Sequence, residues 1–196
     1  MTFKPTDQHV EEYYRNGFTI FRELIPGSLL IDLRKMAHQG LTVARELHGP
    51  QAQRLQPIVK HLDCQAYFDL VDLPSLQEAM DLILGDGFSP GRPPNGEDPA
   101  AGILYHPQDR PWCTQWHRDW RDNVATLDID IWKERQLDWR MFNQVNCALY
   151  EDLCTWVVPG SHLRDDTPGE AKRFPDRPIP RPDFENLAIS EAELVG

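Results

Sequence analysis

The chain has 196 residues, 31 of them acidic and 20 basic, for a formal net charge of −11. That length makes one domain over residues 1–196 the expectation, with enough chain for a sizeable core. The charge argues against nucleic acid and anionic membrane surfaces as main partners and leaves room for a local basic pocket for a small anion.

No apolar run approaches the length of a membrane span, and the opening Met1-Thr2-Phe3-Lys4-Pro5 has no apolar signal region, so a cytoplasmic protein is expected. The four cysteines, Cys64, Cys113, Cys147 and Cys154, form no Cys-x-x-Cys pair. They read as reduced thiols rather than a zinc ribbon or redox motif, with a Cys147–Cys154 bridge as the lesser alternative.

In chain order, residues 6–16 read as a first helix, with Thr6 or Asp7 as cap, Val10, Tyr13 and Tyr14 as apolar stripe and Gly17 as stop. Residues 18–21 alternate β-formers and predict a short strand. Pro26-Gly27-Ser28 opens a helix over 28–48, in which Leu29, Leu30, Leu33, Met36, Ala37 and Leu41 recur at helical spacing before Gly49-Pro50. His38 and His48 on it read as surface or satisfied core histidines. A helical turn is expected over 64–72. A better helix runs over 74–84, with Asp72 as cap, Pro74 in its first turn and Leu76, Ala79, Met80 and Ile83 on its apolar face.

Residues 85–99 are rich in Gly and Pro and read as loop. The period then changes: 102–105 and 113–117 look like strands. Residues 120–140 carry Trp120, Trp132 and Trp139 among charges and read as an irregular insertion. A strand over 142–150, a turn at Glu151-Asp152 and a return over 153–158 suggest a hairpin closed by Pro159-Gly160. Residues 163–184 are polar and punctuated by proline, as a linker or as a lid over a pocket. In the last stretch Ser190 caps a turn and 193–195 begin a strand. Helices first and strands afterwards suggest α+β, with helices buttressing a mostly antiparallel sheet.

Two stretches carry the chemistry. His117-x-Asp119 ends a strand-like run, and residues i and i+2 of a strand share a face, so an imidazole nitrogen and a carboxylate oxygen can reach one small cation. A further His from elsewhere would complete a 2-His-1-carboxylate set, which suits non-haem Fe(II) because it leaves positions open. The blander alternative is a polar strand end with both side chains hydrogen-bonded to neighbours. The second stretch is Trp156-Val157-Val158-Pro159-Gly160-Ser161-His162.

With Tyr14-x-x-Gly17-Phe18-x-x-Phe21, Trp116-His117-x-Asp119, the run Val145-Asn146-Cys147-Ala148-Leu149 and the Val-Pro-Gly-Ser-His stretch, the chain resembles the phytanoyl-CoA dioxygenase family of Fe(II)/2-oxoglutarate-dependent oxygenases over roughly residues 10 to 165. The resemblance implies a double-stranded β-helix, or jelly roll, with a helical part over 1–85 packed outside one sheet and a strand-rich part over 100–196. It assigns His117 and Asp119 as two iron ligands. It also brings the 142–150 strand near 2-oxoglutarate, with Gln144 and Asn146 as contacts if their face looks inward, or as cross-sheet pairs if it does not. Ser161 and His162 are expected to shape the turn after their strand, with His162 not the third ligand, and Trp120 is expected to pack in the core. The implied reaction is an oxidative hydroxylation of a partly apolar small molecule. A carboxylate at Asp119 favours this over halogenation, in which related enzymes carry a small residue.

The family completes its site with a later His and an Arg for the far carboxylate of 2-oxoglutarate, a bidentate role that suits guanidinium. Here no histidine follows His162, and Arg164, Arg173, Arg177 and Arg181 all lie in the polar loop. About five or six strands are predicted where a jelly roll wants eight. The expectation is therefore a fragment of a longer chain. The alternative is a non-catalytic jelly-roll binding or scaffold protein, and a cupin-like protein with another metal is weaker for want of a denser His cluster.

Overall fold

A computed structural model describes residues 3–85, 99, 101–106, 116–119, 128–135, 137–138, 143–153, 155–173 and 193–194. Its elements in chain order are α1 (Asp7–Asn16), α2 (Gly27–His48), β1 (Arg54–Leu55), a 3-10 turn (Ile58–Lys60), α3 (Gln65–Val71), α4 (Pro74–Leu84), β2 (Ile103–Leu104), α5 (Ile129–Arg135), β3 (Trp156–Val157), a second 3-10 turn (Ser161–Leu163), α6 (Pro168–Arg173) and β4 (Glu193–Leu194). They fall into two compact units. One comprises Met1–Thr6 and Phe21–Trp112, the other Asp7–Ile20 and Cys113–Gly196.

The first unit is built on α2. Leu33, Met36, Ala37, Gly40 and Ala44 are its buried residues, spaced three or four apart so that they form one stripe. The predicted Leu29, Leu30 and Leu41 lie half-buried at the margins of that stripe. The helix starts without a side-chain cap and ends where Gly49, at φ +81°, donates its N–H to Arg45 O. Helix α4 buries Leu76, Ala79, Met80, Ile83 and Leu84 and is closed in the same way by Gly85. Its N-cap is Leu73 rather than the expected Asp72, because Pro74 enters the first turn directly after it. Helix α3 packs on both α2 and α4. Strands β1 and β2 pair antiparallel, with Arg54 opposite Leu104 and Leu55 opposite Ile103. Leu55 and Ile58 are the most deeply buried large side chains. At Gly40 a β-carbon would collide with the Tyr105 hydroxyl, so a side chain there would force the Tyr105 ring to shift.

The second unit contains α1, α5, α6 and the antiparallel pair β3–β4, in which Trp156 lies opposite Leu194 and Val157 opposite Glu193. The start of a strand expected at 193–195 is thus found as β4, and it is the partner of β3. The expected hairpin partner, residues 143–150, is irregular throughout. At the turn between them Asp152 accepts from the Thr155 N–H at 3.1 Å and from the Thr155 hydroxyl, a local side-chain turn that replaces a hairpin. Residues 18–21 likewise form no strand.

Two helices occupy stretches expected to be loop. Asp128 caps α5 by accepting from the N–H groups of Asp130 and Ile131, and Trp132 is buried from it. Thr167 and Glu170 cap α6 reciprocally: the Glu170 N–H donates to Thr167 Oγ1 and the Thr167 N–H to Glu170 Oε2. The predicted strand at 113–115, most of the 85–99 loop and residues 174–184 of the proline-rich stretch lie outside the described residues. Among the described residues no helix is long and apolar enough to cross a membrane.

Candidate metal centre

His117 Nε2 lies 2.8 Å from Asp119 Oδ1, so the two side chains singled out in the sequence meet. Their side chains are 24% and 38% exposed, open enough to be reached from solvent. They do not meet through a strand pleat, since Trp116 is a bend, residues 117 and 118 have no strand pairing and Asp119 is helical. With a carboxylate as its partner, Nε2 is the donor in this arrangement. Two donors, each about 2.1 Å from one cation and at a right angle, stand about 3 Å apart. The observed separation is that of an ordinary N–H···O hydrogen bond and also fits two adjacent corners of an octahedron, and an imidazole with a carboxylate is a donor set that Fe(II) accepts.

The residue between them points elsewhere. Arg118 Nε donates to Asp166 Oδ1 at 2.8 Å, Nη1 to the Ser161 carbonyl at 2.9 Å and Nη2 to the Arg164 carbonyl at 3.2 Å. The guanidinium thus grips the segment that follows the Pro-Gly-Ser-His motif. That motif makes a tight turn: Gly160 sits at φ +72°, and the Leu163 N–H returns to the Gly160 carbonyl at 3.1 Å.

The same turn finishes α1. The last carbonyls of a helix have no partner within it. Here Gly17 N–H donates to Tyr13 O at 2.8 Å, Gly160 N–H to Asn16 O at 2.8 Å and His162 Nε2 to Tyr14 O at 3.0 Å. Two of the recognised stretches, Tyr14-x-x-Gly17 and Pro-Gly-Ser-His, are therefore one structure. Gly17 has φ +87°, and a β-carbon there would stand 2.5 Å from His162 Nδ1. His162 is committed to this turn, as the sequence suggested. Burial pushes its pKa down, and the nearby Arg118 charge adds to this against the bond to Tyr14 O. The ring is held neutral with its proton on Nε2, and Nδ1 is buried without a hydrogen-bond partner among the described residues.

Gln144 and Asn146 are both exposed; of the other expected face Cys147 and Leu149 are half-buried and Val145 is exposed. Among the described residues no hydrogen bond ties either one to the His117–Asp119 pair. The inward polar residue is Asn143, whose Oδ1 accepts from the Tyr13 hydroxyl. Cys147 is a free thiol, raised by burial to about 11. His38 and His48 are exposed on α2, as expected. Trp120 lies outside the described residues. All seven histidines of the chain lie inside them, yet no group of three His, Cys, Asp or Glu side chains converges there.

Sequence reasoning passed over Arg118, Asn143 and the Thr167–Glu170 cap. The cap had a readable signal in Thr167-Pro168-Gly169-Glu170, a capping-box spacing with Pro in the first turn. Arg118 had a weaker one, a multivalent donor at the centre of His-x-Asp.

Comparison with known proteins returned no match to a family model, to a curated protein or to a solved structure.

Proposed function

We propose that the chain is the metal-binding part of an Fe(II)/2-oxoglutarate-dependent dioxygenase of the phytanoyl-CoA dioxygenase type, a cytoplasmic oxidoreductase that hydroxylates a small organic molecule on a jelly-roll scaffold. The observation that carries the reading is the 2.8 Å approach of His117 Nε2 to Asp119 Oδ1, the spacing of adjacent ligands on one cation. The antiparallel pairing of both strand pairs and the position of α1–α4 ahead of the pair in the chain also support it.

When bound, Fe(II) with 2-oxoglutarate and O2 supplies the oxidising chemistry for a C–H bond. The chain's own part is to hold and orient. His117 presents the Nε2 lone pair, which requires its proton to move to Nδ1, and Asp119 presents Oδ1. Their partial exposure leaves the open side to cosubstrate and substrate. Gln144 and Asn146 are proposed as polar contacts for 2-oxoglutarate.

Anaerobic titration of the chain with Fe(II), then with 2-oxoglutarate, tests the reading through the visible charge-transfer absorption of a chelated 2-oxo acid. Wild-type chain is expected to develop the band, and His117→Ala and Asp119→Ala to lose it. No band in the wild type, or one unaffected by either substitution, overturns the reading. The second reading is a non-catalytic jelly-roll binding protein. The observation in its favour is that no third His, Cys, Asp or Glu side chain joins the pair among the described residues.

A further inference from the structure

We propose that Arg118 is a positioning residue for the His117–Asp119 pair: its guanidinium locks the bend that presents the two ligands onto the turn made by Pro159-Gly160-Ser161-His162. The inference rests on the metal-binding reading of that pair and goes beyond it, because Arg118 itself is no ligand.

The geometry carries it in three parts. First, the side chains of residues 117 and 119 pair with each other, while that of residue 118 grips the 161–166 segment. The backbone between the two ligands is therefore tethered at its centre. Residues 117 and 118 have no strand pairing to set their dihedrals, so this tether supplies what a sheet otherwise would. Second, Arg118 uses Nε and both terminal nitrogens on three acceptors, Asp166 Oδ1, Ser161 O and Arg164 O. Three bonds from one rigid planar fork fix both the position and the rotation of the group. The Arg118 and Asp166 side chains are only 22% and 16% exposed, so solvent competes weakly for the ion pair. Third, the far end of the tether is itself fixed. Gly160 and His162 are bonded to the end of α1, and Arg164 makes two bonds to Glu170 at 2.8 and 3.1 Å. Arg118 thus joins the ligand bend to a turn braced on both sides. Freed of it, His117 and Asp119 would sample many relative orientations, and a cation would have to select the chelating one.

The test uses Co(II) as a spectroscopic probe, with Fe(II) under anaerobic conditions in parallel, on wild type, Arg118→Ala, Arg118→Lys and His117→Ala. Thermal unfolding of each variant is followed by circular dichroism. Loss of a group that orients a metal ligand typically weakens metal binding about 10–100-fold. Arg118→Ala is expected to fall in that range and to change the Co(II) ligand-field spectrum. Arg118→Lys keeps the charge and most of the stem and serves if the alanine variant does not fold. It is expected to bind weakly too, because one ammonium cannot span three acceptors in a fixed plane. Both Arg118 variants binding Co(II) with wild-type affinity and spectrum would overturn the role of Arg118 and leave the metal reading standing. Wild type and His117→Ala binding Co(II) alike would overturn the metal reading, and the role of Arg118 with it.

Discussion

Substituting Gly17 by alanine acts on two features of the second unit at once. The residue sits at φ +87°, where a β-carbon costs about 1–2 kcal/mol in an L-residue. That β-carbon would also stand 2.5 Å from His162 Nδ1 and 2.8 Å from its Cγ, inside any normal contact distance. The ring would have to swing away, giving up its bond to the Tyr14 carbonyl, for about a further 0.5–1.5 kcal/mol. The expected total is about 2–3 kcal/mol. In urea, with a slope of roughly 1–3 kcal/mol per molar, the midpoint would fall by about 0.7–3 M. A double-mutant cycle with His162→Ala separates the two parts. In the alanine-162 background only the backbone cost should remain, so Gly17→Ala should be cheaper there by about 1 kcal/mol or more. Equal costs in both backgrounds would show that His162 does not lie against Gly17 and would refute the shared-turn description. A Gly17→Ala chain as stable as wild type would refute the left-handed conformation as well.

In the first unit, Leu55 is 1% exposed and Leu104, on the paired strand, is 56% exposed. Leu55→Ala is expected to cost about 2–5 kcal/mol and Leu104→Ala less than about 0.5 kcal/mol; comparable shifts in melting temperature would contradict the assigned strand faces. Glu170 is held down to about 2 by its two bonds from Arg164, assisted by the Thr167 N–H and hydroxyl and opposed by burial. A carboxylate with a depressed folded-state pKa stabilises fully above its unfolded value, near 4.5, and loses that contribution as pH falls toward about 2. Allowing for solvent screening, the stability difference between wild type and Glu170→Gln should be on the order of 1–2 kcal/mol at neutral pH and shrink across that window. A difference that stays constant from pH 7 to pH 2.5 in denaturant titrations would contradict the Arg164–Glu170 pairing.

The helices of the first unit were legible because their signals are local. Apolar residues three and four apart and a closing glycine place α2 and α4 almost to the residue. The β-rich reading of 142–158 was less so, because strand pairing is a long-range choice. Residues 143–148 carry the composition of a strand, yet β3 pairs with β4, far along the chain, and Asp152 spends its carboxylate on Thr155 where a hairpin needed a backbone turn. Helix α5 was missed because its three neighbouring tryptophans masked the period, although Asp128 was a readable cap. At the candidate site, the strand pleat expected to bring His117 and Asp119 together is not what does so, although their types were legible. The union of the Pro-Gly-Ser-His turn with the end of α1 was not, since nothing in either stretch names the other.

The division of the chain into units has a consequence for synthesis. Residues 7–20 belong with residues beyond 112, and the residues between make up most of the other unit. The bond from His162 to Tyr14 spans 148 positions. At about 5–20 residues per second, the ribosome would deliver His162 roughly 7–30 seconds after Tyr14. A ten-residue helix is marginal on its own. During that interval α1 has no final partner for its Tyr14 and Asn16 carbonyls, and before it ends all of the first unit's sequence is made. Order of manufacture and order of completion are thus reversed within this stretch: α1 is translated ahead of α2–α4 but completed only once His162 is made, and a chaperone that shelters its Tyr13–Tyr14 face would act in that interval.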